Sequence, residues 1–146
     1  MNTPKIESSK KEKWAAFIML PLLLLGLWLA WSATHDSRVA ELNDMLGKNA
    51  ELSEYPYEFR VFELNDGVAT MSSPRSPQSS VLQALKIIEP SLSVANANKP
   101  EVIAAQKKLA KLQFKAKDLV LSQPDVSAVE WRLDRAWLLS NGAILD

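Results

Sequence analysis

Residues 57–73 read YEFRVFELNDGVATMSS, and whether they form strands decides the architecture of the chain. Aromatic and β-branched residues dominate, with one break at Asn65-Asp66-Gly67, among the strongest short-range signals for a two-residue hairpin turn. The pattern predicts two antiparallel strands, about 57–64 and 68–72. Arg60, Phe62 and Leu64 fall on one face and Phe59, Val61 and Glu63 on the other, so both faces are expected to be partly covered.

Downstream, the polar loop SPRSPQSS (73–80) leads into VLQALKII (81–88), where Val81, Leu82, Leu85 and Ile88 share one side of a short helix. Ser79 or Ser80 suits its N-cap, and Pro90 stops it. Pro100 then opens the longest element. From Glu101 to about Ser122, Val102, Ala105, Leu109, Leu112, Ala116 and Leu119 recur at spacings of three and four. After Pro124, Val129, Trp131 and Leu133 alternate with Ala128, Glu130 and Arg132, a half-buried strand with Trp131 assigned to the core. Asn141-Gly142 is a second hairpin signal, with Trp137–Leu139 and Ala143–Leu145 as its flanking strands. The order predicts an α+β fold, antiparallel β-hairpins packed against helices, the longest about 101–122.

Upstream, SRVAELNDMLGK (37–48) follows a good N-cap at Asp36 or Ser37 and places Val39, Leu42, Met45 and Leu46 on one helical stripe ending at Gly47. Immediately before it lies WAAFIMLPLLLLGLWLAWSA, residues 14–33, without a charge. Twenty helical residues reach ~30 Å, the thickness of a bilayer's hydrocarbon core. Phe17, Ile18 and seven leucines together favour insertion by about 4 kcal/mol. Trp14, Trp28 and Trp31 stand near the two ends, where indole rings favour the headgroup layer, and Pro21 is tolerated in such a helix. A cleaved secretory leader is the competing reading, since Ala30-Trp31-Ser32 resembles a small-x-small cleavage site. The apolar run is nevertheless longer than the 7–15 residues typical of leaders, and Trp31 is bulky for that position.

These readings divide the chain into a cytoplasmic basic tail (1–13), a transmembrane helix (14–33), a juxtamembrane amphipathic helix and linker (34–56) and an extracytoplasmic α+β domain (57–146). Lys5, Lys10, Lys11 and Lys13 precede the span, against Arg38 and Lys48 soon after it, so the positive-inside rule keeps the N-terminus cytoplasmic. In a bacterium the domain would then lie in the periplasm, anchored to the inner membrane.

Seventeen basic and seventeen acidic residues balance, so bulk charge gives no argument for nucleic acid as a partner. The absence of cysteine removes thiolate zinc sites, redox pairs and cysteine nucleophiles. His35 is the only histidine and stands two residues past the apolar run, and no GxSxG, SxxK, calcium-loop or glycine-rich phosphate motif occurs. No cofactor, metal or catalytic residue is expected. Two features remain as candidate partner contacts. Lys107, Lys111 and Lys115 step by four along the long helix, either as a basic stripe for acidic partners or as a solvated face neutralised by the acidic segment 36–66. Arg75 and Ser76 sit between two prolines, a stiffened and potentially recognised loop. The expected role is a membrane-anchored, non-catalytic accessory, assembly or scaffold subunit that binds other membrane or envelope proteins. The alternatives are a small subunit held to a larger membrane protein through its span, and an envelope enzyme.

Overall fold

The computed structural model describes residues 10–75 and 81–144, with side chains from Ile18 onward except at positions 31 and 33–36. The chain forms two compact units, Met1–Asp36 and Ser37–Asp146.

In the first unit the described residues are helical, the opening part of α1 (Lys10–Gly47), with Pro21 inside it. Every large apolar side chain described between Ile18 and Leu29 is at least 50% exposed. Among the described residues no helix is long and apolar enough to cross a membrane. The described apolar side chains cover only 18–30, and the side chains of Trp14, Trp31, Lys10, Lys11 and Lys13, like Lys5 altogether, lie outside the described residues.

The second unit contains the rest of α1, then α2 (Ala50–Ser53), β1 (Val61–Asn65), β2 (Val68–Ser73), α3 (Val81–Ile88), α4 (Pro100–Leu121), β3 (Ala128–Leu133) and α5 (Arg135–Ser140). Of the segment 34–56, read from sequence as a juxtamembrane helix and linker, the part from Ser37 onward contributes to its core: Leu42, Leu46, Leu52 and Tyr55 are buried with the strand and helix residues that follow. Asn49 ends the first turn of chain after α1 by accepting the Leu52 N–H in its side chain, which caps α2.

The hairpin turn leaves Asp66 and Gly67 at φ 48° and 79°, both positive as a type I′ turn demands. The first strand starts at Val61 rather than at Tyr57. A bulge falls between Val61 and Glu63, and the Ser72 hydroxyl, not a ladder carbonyl, takes the Arg60 N–H at 2.8 Å. Tyr55, Tyr57 and Phe59 lie before the strand, in a bend and the irregular chain after it, and are all buried, with Tyr57 edge-on to Phe59 at 5.0 Å.

The sheet order is β1-β2-β3, and β3 runs parallel to β2, from Val68 opposite Ala128 to Ser73 opposite Leu133. The sheet is therefore mixed, where an antiparallel one was expected. Helices α3 and α4 form the crossover that parallel neighbours require. The Gly67 carbonyl starts the pairing by accepting the N–H groups of Ser127 (2.8 Å) and Ala128 (3.2 Å). A Cβ at Gly67 would lie 2.9 Å from Ser127 Oγ. Gly67→Ala should therefore lower unfolding stability by about 1–2 kcal/mol from the left-handed backbone alone, read as a lower urea midpoint by circular dichroism.

Helix α4 packs on β2 and β3 through Val102, Ala105, Leu109, Leu112, Ala116 and Val120, all buried, and has Pro100 in its first turn. The expected second hairpin is not formed among the described residues, where 137–139 are helical. Asp134 caps α5 by accepting the Trp137 N–H at 3.1 Å, and Leu138 is buried beneath it. Gly142, at φ 81°, follows the helix; Ala143 N–H reaches Leu138 O at 2.9 Å and Gly142 N–H reaches Leu139 O at 3.1 Å. That is a Schellman C-cap. Asn-Gly supplies a positive φ to either a hairpin or a helix end, and the Asp134 cap selects the helix.

Candidate functional site

The charged residues of the domain are gathered where elements meet. Arg38, near the end of α1, grips Asp125 with both arms, Nε to Oδ2 and Nη2 to Oδ1 at 2.7 Å each, and also bonds Glu41 at 2.8 Å. These hydrogen bonds raise the guanidinium's pKa and hold the Asp125 carboxyl below the usual carboxylate range. Asp134 is 2% exposed and receives Arg60 Nη2 at 2.6 Å and Tyr57 Oη at 3.4 Å. Arg132 bonds Glu63 at 3.0 Å and lies over the Phe62 ring, 4.6 Å from its centroid.

The lysine stripe of α4 divides. Lys111 and Lys115 both reach Glu51 of α2, at 3.5 and 2.9 Å, and pull its pKa down. Their neighbour Lys108 lies 5.5 Å from the Tyr55 ring centroid. Lys107 is exposed and has no ion partner among the described residues. The depression between α2 and α4, about 250 Å³, is lined by Glu51, Glu54, Tyr55, Lys108, Lys111 and Leu112, two acids against two lysines. Such a surface has no strong field of one sign. A groove of about 510 Å³ beside α3 has Lys86 as its only titratable lining residue.

Arg75 is exposed, but its Nε donates to Gln113 Oε1 at 3.0 Å. Gln113 is buried and passes an N–H to Ser73 Oγ, whose own proton goes to the Arg75 carbonyl at 2.7 Å. This ring of bonds fixes the chain leaving β2. Ser76 and the expected caps Ser79 and Ser80 lie outside the described residues, as does the side chain of His35. Among the described residues no group of three or more acids or histidines is placed to hold a metal.

Both tyrosines of the chain are buried, and burial raises their pKa values, Tyr55 to about 12 with help from Glu89, and Tyr57 further. The neutral phenols therefore contribute stability that is complete below the ordinary value of about 10 and is lost as pH rises through the raised ones. Tyrosinate absorbance should stay flat through pH 10 and then appear together with alkaline unfolding.

The feature that sequence reading missed is the outer edge of β3. Ala128 N–H bonds Gly67 O at 3.2 Å and Asp134 N–H bonds Ser73 O at 2.8 Å. With the parallel register, even-numbered residues turn their backbone groups toward β2, so Val129, Trp131 and Leu133 turn theirs outward. No strand covers that side among the described residues. Trp131, assigned to the core from its alternation, is 38% exposed. It lies on the helix-covered face of the sheet but at its rim. At the opposite edge, Asn43 of α1 accepts the Val61 N–H at 2.6 Å and donates to the Val61 carbonyl at 3.0 Å. Alternation alone could not separate an edge strand from a central one, because that depends on which strands lie beside it. No family model matches the chain, and no curated protein or solved structure is similar to it.

Proposed function

We propose that this chain is a single-span membrane protein, N-terminus in the cytoplasm, whose α+β domain lies on the other side and acts as a non-catalytic accessory or scaffold module through protein contacts. The observation that carries the reading is the unpaired edge of β3, with three outward N–H groups and three outward carbonyls, whereas at the other sheet edge Asn43 occupies the outward groups of Val61. Exposed strand edges are templates for another chain, and domains that do not use them cover them. The absence of charge from 14–33 and a helix apolar on all sides at 18–30 support the anchor. Several charged groups of the domain are engaged with one another: Arg38 with Asp125, Arg60 with Asp134, and Glu51 with Lys111 and Lys115.

The test is co-purification of the full chain from its native membrane in mild detergent, comparing wild type, Val129→Pro and a chain with 14–33 replaced by an unrelated span. Proline at 129 removes an outward N–H and leaves the bonds to β2 intact. A protein partner lost with Val129→Pro but kept with the foreign span is the expected result. A partner lost only with the foreign span would place the binding in the membrane and overturn the role given to β3.

A further inference from the structure

We infer that the chain occupying the edge of β3 is β3 of a second copy, antiparallel and centred on Trp131, so that two three-stranded sheets join into one of six. This rests on the reading of β3 as the binding edge and adds the identity and register of the partner.

The strand reads Ala128-Val129-Glu130-Trp131-Arg132-Leu133. A two-fold axis through Trp131 sets Trp131 opposite its own copy, Val129 opposite Leu133, and Glu130 opposite Arg132. Three independent requirements meet in that register. The first is hydrogen bonding: the residues brought face to face as bonded pairs must be those with outward backbone groups, and Val129, Trp131 and Leu133 are the ones so placed. The pairing then makes six new backbone bonds. The second is charge. Glu130 is exposed and has no ion partner among the described residues, while Arg132 keeps half its side chain exposed beyond its bond to Glu63. Each Glu130 meets an Arg132 across the axis, twice over, in closely spaced non-bonded pairs where opposite charges attract most. The third is apolar match: Trp131, 38% exposed at the rim, covers its counterpart, and half-buried Val129 and Leu133 cover each other. Pairing centred one position away, on Glu130 or Arg132, would set like charges opposite each other, and an axis lying between two residues would face outward groups with inward ones.

The chain has no cysteine, so single cysteines report the register directly. In the full chain in detergent or reconstituted bilayers, Trp131→Cys should form a covalent dimer on mild oxidation, because directly opposed bonded pairs hold Cα atoms about 5.5 Å apart, within disulfide reach. Ala128→Cys should not, since its copy lies roughly 20 Å away along the paired strands. Native mass spectrometry of cysteine-free chains adds a second readout. Glu130→Arg or Arg132→Glu alone should weaken the dimer about tenfold or more, each replacing two attractive cross-strand pairs by two repulsive ones, and the double exchange should restore it. Trapping at Ala128 equal to that at Trp131, or a dimer indifferent to the single reversals, would overturn this register. A partner that is lost with Val129→Pro but is not a second copy of this chain would mean that a different protein occupies the edge, leaving the binding-edge reading standing and this one refuted.

Discussion

Asp134→Ala is expected to cost the domain about 3 kcal/mol, and Asp134→Asn roughly half as much. One carboxylate at 2% exposure serves three groups: it caps α5 through the Trp137 N–H, it meets Arg60 at 2.6 Å, and it receives the Tyr57 hydroxyl. Losing an N-cap costs about 1 kcal/mol. Removing one member of a buried pair costs roughly 3–5 kcal/mol where the other is fully desolvated. Arg60 keeps 40% of its side chain exposed, so solvent screening brings its share below that range, to about 2 kcal/mol. Asparagine can still cap the helix but brings no charge to the guanidinium. Chemical denaturation of the two variants measures the difference. The loss is large against a domain stability of about 5–15 kcal/mol.

Tyr57→Ala is expected to lower stability by about 3–5 kcal/mol, the range for removing a large aromatic side chain from a core. Tyr57 is fully buried and meets Phe59 and Trp137 edge-on at 5.0 and 4.8 Å. It thus joins the segment before β1 to α5, two stretches far apart in sequence. Tyr57→Phe keeps the ring and removes the hydroxyl's hydrogen bonds with Asp134, at 3.4 Å, and Ser72, so it should cost about 1 kcal/mol. Similar losses for the two variants would show that the hydroxyl, not the ring packing, carries this joint.

Local signals in the sequence were sufficient where one residue type has one structural use. Asp66 and Gly67 at positive φ between alternating residues specify a hairpin, and the buried stripe of α4 from Val102 to Ala116 is written at helical spacing. Ambiguity entered at Asn141-Gly142, where the same positive φ ends a helix, and the decisive Asp134 cap sits seven residues earlier. The parallel course of β3 was not legible, because it is set by the crossover through α3 and α4 and by the Gly67 carbonyl that receives Ser127 and Ala128. Of the candidate contacts, Lys111 and Lys115 are drawn to Glu51, a pairing that charge counting permitted without identifying the acid. The β3 edge escaped notice because Glu130 and Arg132 read simply as the polar half of an alternating strand. Their significance as a self-complementary pair depends on which backbone groups face outward, and that only the sheet defines.

The most direct test of the account is the fate of residues 14–33. Intact mass of the native protein recovered from alkali-washed membranes, with protease added to one side, examines anchor and orientation together. The account predicts a mass that still includes residues 14–33, retained in the membrane, with the domain from Ser37 onward cut or protected according to its position opposite the cytoplasm. A chain beginning near Ala33 and released in the wash would contradict it, making the apolar stretch a leader and the domain a free protein.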